Sequence, residues 1–358
     1  MGYGKLEGCV VIVTRLRVGN HQRDRESGLL MKLPKIIWAF ILLLNGVPVG
    51  GTEKIRVSGG GMTPLHSIIW VANQEGLFKK YGMDVEYLVM NSGTLGVQTL
   101  LSNDSQFLFS TGALAVTANL QGADIAMITG GFNLFAFKVV SRPEIRSVQE
   151  LKGKKISISQ FGSATDFAVQ ASLDKFGVDP KQVTVLQLGA SSNRLTALTN
   201  GSTEASLFTE PFATMAIKKH RMNLLLDMAE AGMSYPQSCL MIKRSYLDAN
   251  RDKATNFVKA LIEALFLAKR DRAMTIQVIK KYIRADDEVY GIGYDYFLGP
   301  HADGLLSMPD RKGVELVLAQ LAKSNAKAKG QTVESLKVME PSILDELKRS
   351  GFVDRVRK

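Results

Sequence analysis

Cysteine and histidine are scarce in this chain of 358 residues, which contains two cysteines and four histidines. Cys239 is the only cysteine after residue 51, so that part of the sequence cannot form an intrachain disulfide. The apolar residues around Cys239 favour a buried structural thiol over a nucleophile. No two histidines have the spacing of metal ligands, and we predict neither a metal site nor a cofactor.

A concentrated basic segment is also missing, although the chain has 45 Lys and Arg, 34 Asp and Glu, and a net charge of +11. The excess is spread over predicted helix faces, as at Lys218 and Lys219, and no basic block alternates with aromatic residues. We therefore predict no nucleic-acid partner. A diffuse positive field would favour anionic ligands, but a solvated surface is the simpler interpretation.

Residues 31–51 have the order of a secretory signal peptide. Lys32 and Lys35 open the segment, a short apolar run follows, and small residues end it. The run is shorter than the roughly 20 residues that a membrane span needs. We predict export to the periplasm or another extracytoplasmic space, with cleavage near Gly51, and we interpret residues 1–30 as a non-native or disordered extension. The alternative is a buried N-terminal helix.

Strand-like and helix-like segments alternate from residue 54 to about residue 243. This alternation predicts an α/β fold with mostly parallel sheets flanked by helices. The last third of the chain has helical periodicity instead, since Phe257, Leu261 and Leu265 recur every four residues.

Four loops share one design, in which a strand is followed by glycine or hydroxyl residues and then by a helix. Such a loop presents free backbone N–H groups at a helix N-terminus, whose partial positive charge helps to hold an anion. Ordinary helix capping explains any one of these loops equally well, so it is their repetition that indicates a ligand site. None has the spacing of a dinucleotide-binding or P-loop motif. The loops are residues 59–64, 91–94, 110–113 and 159–165.

Three segments, residues 72–85, 151–158 and 200–211, resemble the type II periplasmic solute-binding proteins of ABC importers. The resemblance is to the branch for nitrate, sulfonate, taurine and thiamine-pyrimidine precursors. It implies a two-lobe fold with a ligand cleft between the lobes. Lobe 1 would comprise residues 52–138 plus 237–358, and lobe 2 residues 139–236.

The same resemblance implies which residues line the cleft. Phe132 and Phe161 are equally open to ligand contact and to core packing. His66 either sits in the first turn of a helix or donates to an anionic group, and Glu210 pairs either with a ligand amine or with a lysine across the hinge. The predicted ligand-binding set is Gly61, Met62, Thr63, His66, Ser92, Gly93, Thr94, Ser110, Thr111, Gly112, Phe132, Gln160, Phe161, Gly162, Ser163 and Glu210.

The function that these observations imply is solute binding rather than catalysis. A monomeric exported protein would take up a small anionic or polar organic solute, similar to a sulfonate, nitrate or taurine, and deliver it to an ABC permease and its ATPase subunit. One alternative is a thiamine pyrimidine precursor as the ligand. Another is an enzyme of pyrimidine or menaquinone synthesis, although the cysteine-rich motif of the pyrimidine synthases is missing. A regulator's effector domain would need a DNA-binding helix-turn-helix ahead of residue 54.

Overall fold

The computed structural model describes residues 54–60, 63–284, 287–299 and 302–358. The predicted extension and signal peptide, residues 1–30 and 31–51, lie outside these ranges. Within them, no helix combines the length and the apolar character that are needed to cross a bilayer.

Ten strands in the described ranges form two five-stranded sheets. The first sheet has the order β2-β1-β3-β10-β4, and the second has the order β7-β6-β8-β5-β9. The strands are β1 (Lys54–Gly60), β2 (Asp84–Met90), β3 (Phe107–Ser110), β4 (Ile125–Thr129), β5 (Lys138–Ser141), β6 (Lys155–Ile158), β7 (Thr184–Gln187), β8 (Ala205–Phe208), β9 (Asn223–Asp227) and β10 (Cys239–Lys243).

Helices connect these strands and make up the last third of the chain. They are α1 (Ser67–Gln74), α2 (Leu77–Lys80), α3 (Gly93–Leu101), α4 (Ala113–Leu120), α5 (Ala164–Lys175), α6 (Ser191–Thr199), α7 (Phe212–Thr214), α8 (Arg244–Ala249), α9 (Arg251–Arg270), α10 (Arg272–Tyr282), α11 (Asp287–Leu298), α12 (Arg311–Ala322), α13 (Ser342–Arg349) and α14 (Phe352–Arg357). A π-helical turn follows α7 at Met215–Lys219, and 3-10 turns lie at Pro64–His66, Val148–Leu151, Pro180–Gln182, Ala302–Leu306 and Ala326–Ala328.

The predicted two-lobe α/β fold is confirmed, but the strand directions are more mixed than the sequence suggested. Each sheet has two parallel and two antiparallel pairings. The antiparallel pairings all involve β5 or β10, the strands by which the chain enters one sheet from the other. Each of these two strands lies between two neighbours that run in the opposite direction.

Two chain segments, residues 130–137 and 228–238, connect the sheets, and we call them together the hinge ribbon. They pair with each other: the Phe135 amide donates to the Met233 carbonyl at 3.0 Å, and the Tyr235 amide donates to the Asn133 carbonyl at 3.0 Å. The rings of Phe135 and Tyr235 stack with centroids 3.9 Å apart. The two connecting segments therefore run between the sheets as a hydrogen-bonded pair. The lobe boundaries given above stay a prediction.

The core of the first sheet packs against α9. Phe257 is fully buried, with its ring stacked on Phe107 at 4.1 Å and 4.8 Å from the ring of Phe78. Leu261 and Leu265 are fully buried as well. The face of α9 that the four-residue periodicity predicted is thus the face that contacts the sheet.

Phe257→Ala is expected to lower the free energy of unfolding by about 3–5 kcal/mol, because it removes a ring from between two others and leaves a cavity. Urea denaturation followed by circular dichroism measures the change. Leu224→Ala, at an exposed position of β9, is the control and should change the free energy by less than about 0.5 kcal/mol. Equal losses in the two variants would contradict the packing of α9.

Candidate functional site

A cavity of about 300 Å³ lies where the strand ends of both sheets meet. Its lining comes from the residues at or directly after the carboxyl ends of strands, which is where ligands collect in sheets of this kind. The first sheet supplies residues at the ends of β1, β2 and β3, and the second supplies residues after β6, β7 and β8. Among them are Gly60, Ser92, Ser110, Ser159, Ser191 and Thr209.

Four helices begin at this cavity, two from each sheet. Ser92 is the N-cap of α3 and accepts a hydrogen bond from the Leu95 amide at 3.3 Å. The N-caps of α5 and α6, Ser163 and Ala190, line the cavity, and Thr111 lines it directly before the start of α4. Because each helix end carries a partial positive charge, the four termini together favour a negatively charged ligand.

One hydrogen bond joins the two walls of the cavity. The Ser92 hydroxyl, on the first-sheet side, donates to the Gln160 side-chain carbonyl, on the second-sheet side, at 2.6 Å. The lobes are therefore in contact across the cavity in this structure, and we call the cavity the cleft.

Arg194 places a buried positive charge in the cleft wall. Its side chain projects from α6 and only 4% of the residue is exposed. The guanidinium donates to the Gly189 carbonyl at 3.2 Å, to the Ser191 hydroxyl at 2.8 Å and to the Leu207 carbonyl. Burial lowers the pKa of Arg194 to about 10, so the group stays charged at neutral pH. The guanidinium carbon also lies over the Phe208 ring, 5.4 Å from its centroid, but none of these partners is a carboxylate.

His66 contributes a neutral ring to the same wall. It is 3% exposed and lies among the rings of Trp70, Tyr87 and Phe109, at centroid distances of 5.8 to 6.3 Å. Burial lowers the pKa of His66 to about 4, because the charged imidazolium loses its hydration there. The cationic donor in the cleft at neutral pH is therefore Arg194 and not His66.

The structure brings together about half of the residues that the sequence predicted for the site. Gln160 joins the cleft through its bond to Ser92. Gly61 and Met62 lie outside the described residues. The predicted residues that line the cleft are Thr63, His66, Ser92, Gly93, Ser110, Thr111 and Ser163.

The other predicted residues lie beside the cleft rather than in its lining. Thr94 is in the first turn of α3, and Gly112 packs against Met127 and Cys239. The Gly162 amide donates to the Asp166 carboxylate at 2.8 Å.

The two phenylalanines whose roles were open have different environments. Phe132 is buried, and its ring stacks on that of Tyr296 with centroids 5.6 Å apart, so Phe132 is a core residue. Phe161 is 52% exposed and lies in the loop before α5. Neither ring belongs to the lining of the cleft.

Glu210 pairs with a lysine, as in the second of its two alternatives, but this lysine lies in the same sheet and not across the hinge. Its carboxylate pairs with Lys138, at the start of β5, at 3.0 Å, and also accepts from the Thr214 amide at 3.1 Å. Lys138 pairs with Asp227 at 3.2 Å as well. Glu210 is thus engaged at the end of the hinge ribbon and does not line the cleft.

The sequence analysis missed the loop that carries Arg194. Residues 189–192, Gly-Ala-Ser-Ser, follow β7 and run into the first turn of α6, which is the same strand, glycine or hydroxyl, helix design as the four predicted loops. Applying that pattern consistently would have found this fifth loop. Nothing local distinguishes Arg194 from an ordinary surface arginine on a helix.

The chain belongs to the family described as NMT1/THI5 like, whose model matches residues 63–271, more than half of the sequence. Among curated relatives, it is 26% identical over 219 residues to YtlA of Bacillus subtilis (strain 168), a protein named as a binding protein. That alignment covers 59% of this chain and 65% of YtlA, so the chain spans just under two thirds of that relative. A B. subtilis protein named for binding aliphatic sulfonates is 25% identical over 248 residues, 65% of this chain and 73% of its own length.

Solved structures share the fold. The alkanesulfonate-binding protein SsuA of Xanthomonas axonopodis pv. citri, bound to MOPS, has a TM-score of 0.67 at 18% identity and covers 78% of this chain and 94% of its own. The periplasmic nitrate-binding protein NrtA of Synechocystis PCC 6803 has a TM-score of 0.63 at 12% identity, with coverages of 84% and 89%. The desulfurization enzyme DSZB has a TM-score of 0.62 at 14% identity, with coverages of 83% and 99%. The fold is therefore that of periplasmic binding proteins, and the predicted resemblance is confirmed.

The stability of the protein is expected to rise with pH between about 4 and 6.5 because of His66. In that interval the unfolded chain protonates this histidine and the native state does not, which changes the free energy of unfolding by up to about 1.4 kcal/mol per pH unit. Denaturant titrations of the wild type and of His66→Gln at several pH values measure the difference in slope. Identical slopes in the two proteins would show that His66 titrates normally in the fold.

Proposed function

We propose that this protein is an extracytoplasmic solute-binding protein that takes a small organic oxyanion, such as an alkanesulfonate, into the cleft and delivers it to an ABC importer. The observation that carries the proposal is Arg194, a buried guanidinium in the cleft wall that has no carboxylate partner among the described residues. An unpaired buried charge destabilises the folded protein. A bound anion would supply the missing partner.

The other polar groups of the cleft suit an anion of this kind. Four helix N-termini and the hydroxyl groups around them present hydrogen-bond donors, and donors to a charged acceptor form the stronger class of hydrogen bond. Apolar side chains, including Leu65, Phe137 and Phe212, line the remainder and can hold a short alkyl group. A volume of about 300 Å³ limits the solute to a small molecule.

The state of Glu210 favours a simple alkanesulfonate over taurine. Taurine carries an ammonium group beside its sulfonate, and burying that ammonium needs a carboxylate. Glu210, the acidic candidate for this role, is already paired with Lys138 and bonded to the Thr214 amide. We therefore expect an added ammonium to weaken binding.

Binding rather than turnover is the activity that the cleft supports. Its lining contains neither a cysteine nor a carboxylate, and its imidazole, His66, is buried and neutral. No nucleophile with an adjacent base is present there. Closure of two lobes on a solute, with contacts such as that of Ser92 with Gln160, is the motion by which such proteins capture ligands. Relatives named for binding sulfonates are consistent with this proposal.

Isothermal titration calorimetry with ethanesulfonate, taurine, nitrate and a neutral aminopyrimidine tests the proposal. The expected result is that ethanesulfonate binds, that taurine binds more weakly, and that Arg194→Gln weakens ethanesulfonate by about 100-fold, because the variant removes the charge that the sulfonate pairs with. Arg194→Lys retains the charge but not the fork of donors and should bind with intermediate affinity.

The matched control is Arg251→Gln, which removes an exposed arginine that pairs with Glu346 at 3.2 Å, far along the chain from the cleft loops. It has the same charge change and should bind ethanesulfonate like the wild type. Circular dichroism confirms that each variant is folded. Unchanged affinity in a folded Arg194→Gln protein would refute the role of Arg194, and binding of the aminopyrimidine alone would favour a pyrimidine precursor as the ligand.

Export is tested by N-terminal sequencing of the protein recovered from the extracytoplasmic fraction. Cleavage near Gly51 is expected to leave a chain that begins near Thr52, because small residues there follow the apolar run. A protein that stays in the cytoplasm with its first 51 residues attached would contradict this part of the proposal.

A further inference from the structure

A second cavity, of about 500 Å³, lies on the other side of the hinge ribbon from the cleft. One wall is α5, which belongs to the second sheet, and the opposite wall is α12, from the C-terminal third of the chain. The stacked rings of Phe135 and Tyr235 lie in its lining between the two helices. We call this cavity the hinge groove.

The hinge ribbon is shared between the groove and the cleft. Side chains alternate along extended backbone, so neighbours two apart face the same way and direct neighbours face opposite ways. The ribbon departs from strict alternation here: Phe135 and Tyr235 line the groove, whereas Phe137 and Gln237 line the cleft. The same ribbon therefore supplies side chains to both cavities.

Two bonds cross the groove from α12 towards α5. Lys323 pairs with Asp174 at 2.5 Å, and the Gln320 side-chain amide donates to the Phe167 carbonyl at 3.3 Å. Both are present in a structure in which Ser92 and Gln160 are also bonded across the cleft. The groove of about 500 Å³ and the contact between the lobes are thus present in the same arrangement of the chain.

The lining of the groove combines an apolar interior with a cationic rim. Leu316 is 48% exposed at the mouth of the groove, whereas the rings of Phe135 and Tyr235 at its base are almost fully buried. Lys175 and Lys312 line the groove and make no ion pair with a described carboxylate, whereas Lys323 is balanced by Asp174. The groove is therefore complementary to a molecule with an apolar body and one negative charge.

We propose that the hinge groove is a second ligand site, which binds an aliphatic monocarboxylate and thereby favours the arrangement with the lobes in contact. The apolar body lies along Leu316 and the two stacked rings, and the carboxylate lies at Lys175 and Lys312. Because the site is separate from the cleft, its existence does not depend on the proposed solute. Its coupling to the cleft does rest on the proposed function.

Calorimetric titration of the full chain with octanoate, below its micelle concentration, tests the site. Octanoate is expected to bind, and octanamide, which has the same shape without the charge, should bind about tenfold more weakly. Leu316→Glu removes the apolar wall and places a carboxylate four residues after Lys312, so it should weaken octanoate by about tenfold. Leu224→Glu makes the same change at a position that is 45% exposed and outside the groove, and should leave binding unchanged.

Several results would overturn the proposal. These are no heat with octanoate, equal affinity for octanamide, or equal weakening in the two glutamate variants. The coupling is measured as the affinity for ethanesulfonate with and without octanoate, which should rise a few-fold when octanoate is bound. An unchanged ethanesulfonate affinity overturns the coupling alone. If ethanesulfonate does not bind at all, the proposed function fails, while the octanoate titration still decides the groove.

Discussion

The pairing of the two connecting segments is the constraint on which the rest of this structure depends. Backbone hydrogen bonds between residues 133 and 235 and between 135 and 233 join the segment that leaves the first sheet to the segment that returns to it. One buried core contains Met127 of the first sheet, Val139 of the second and Tyr235 of the ribbon, so apolar packing around the ribbon also holds the two sheets together. In this arrangement, the carboxyl ends of six strands face one another, and five loops that are far apart in sequence reach a common space.

The charged side chain in the lining of that space is positive, and no carboxylate lies among the described residues of the lining. Helix termini, hydroxyl groups and the guanidinium of Arg194 line the space, and the acidic groups nearby are already occupied, as Glu210 and Asp227 are by Lys138. The ion pairs at the end of the hinge ribbon therefore have two effects. They hold β5 in place, and they keep carboxylates from neutralising the cleft.

Much of this fold was predictable from sequence, because the alternation of strands and helices is a local pattern and the periodicity of α9 is too. The loops of the cleft were predictable for the same reason. The role of Arg194 and the identity of the lysine that pairs with Glu210 were not, since each depends on residues brought together by tertiary structure: Lys138 and Glu210 are 72 positions apart in sequence. Phe132 had the glycine-rich context of a site residue, but its stacking on Tyr296 comes from a distant helix.

The burial of His66 has a consequence for how the charge of the cleft responds to pH. The ionisable groups in the lining of the cleft are His66 and Arg194, whose pKa values are about 4 and about 10. Between those values the lining neither gains nor loses a proton. Because the imidazole of His66 is buried, the cleft presents the same charge to a ligand in a mildly acidic solution as in a neutral one.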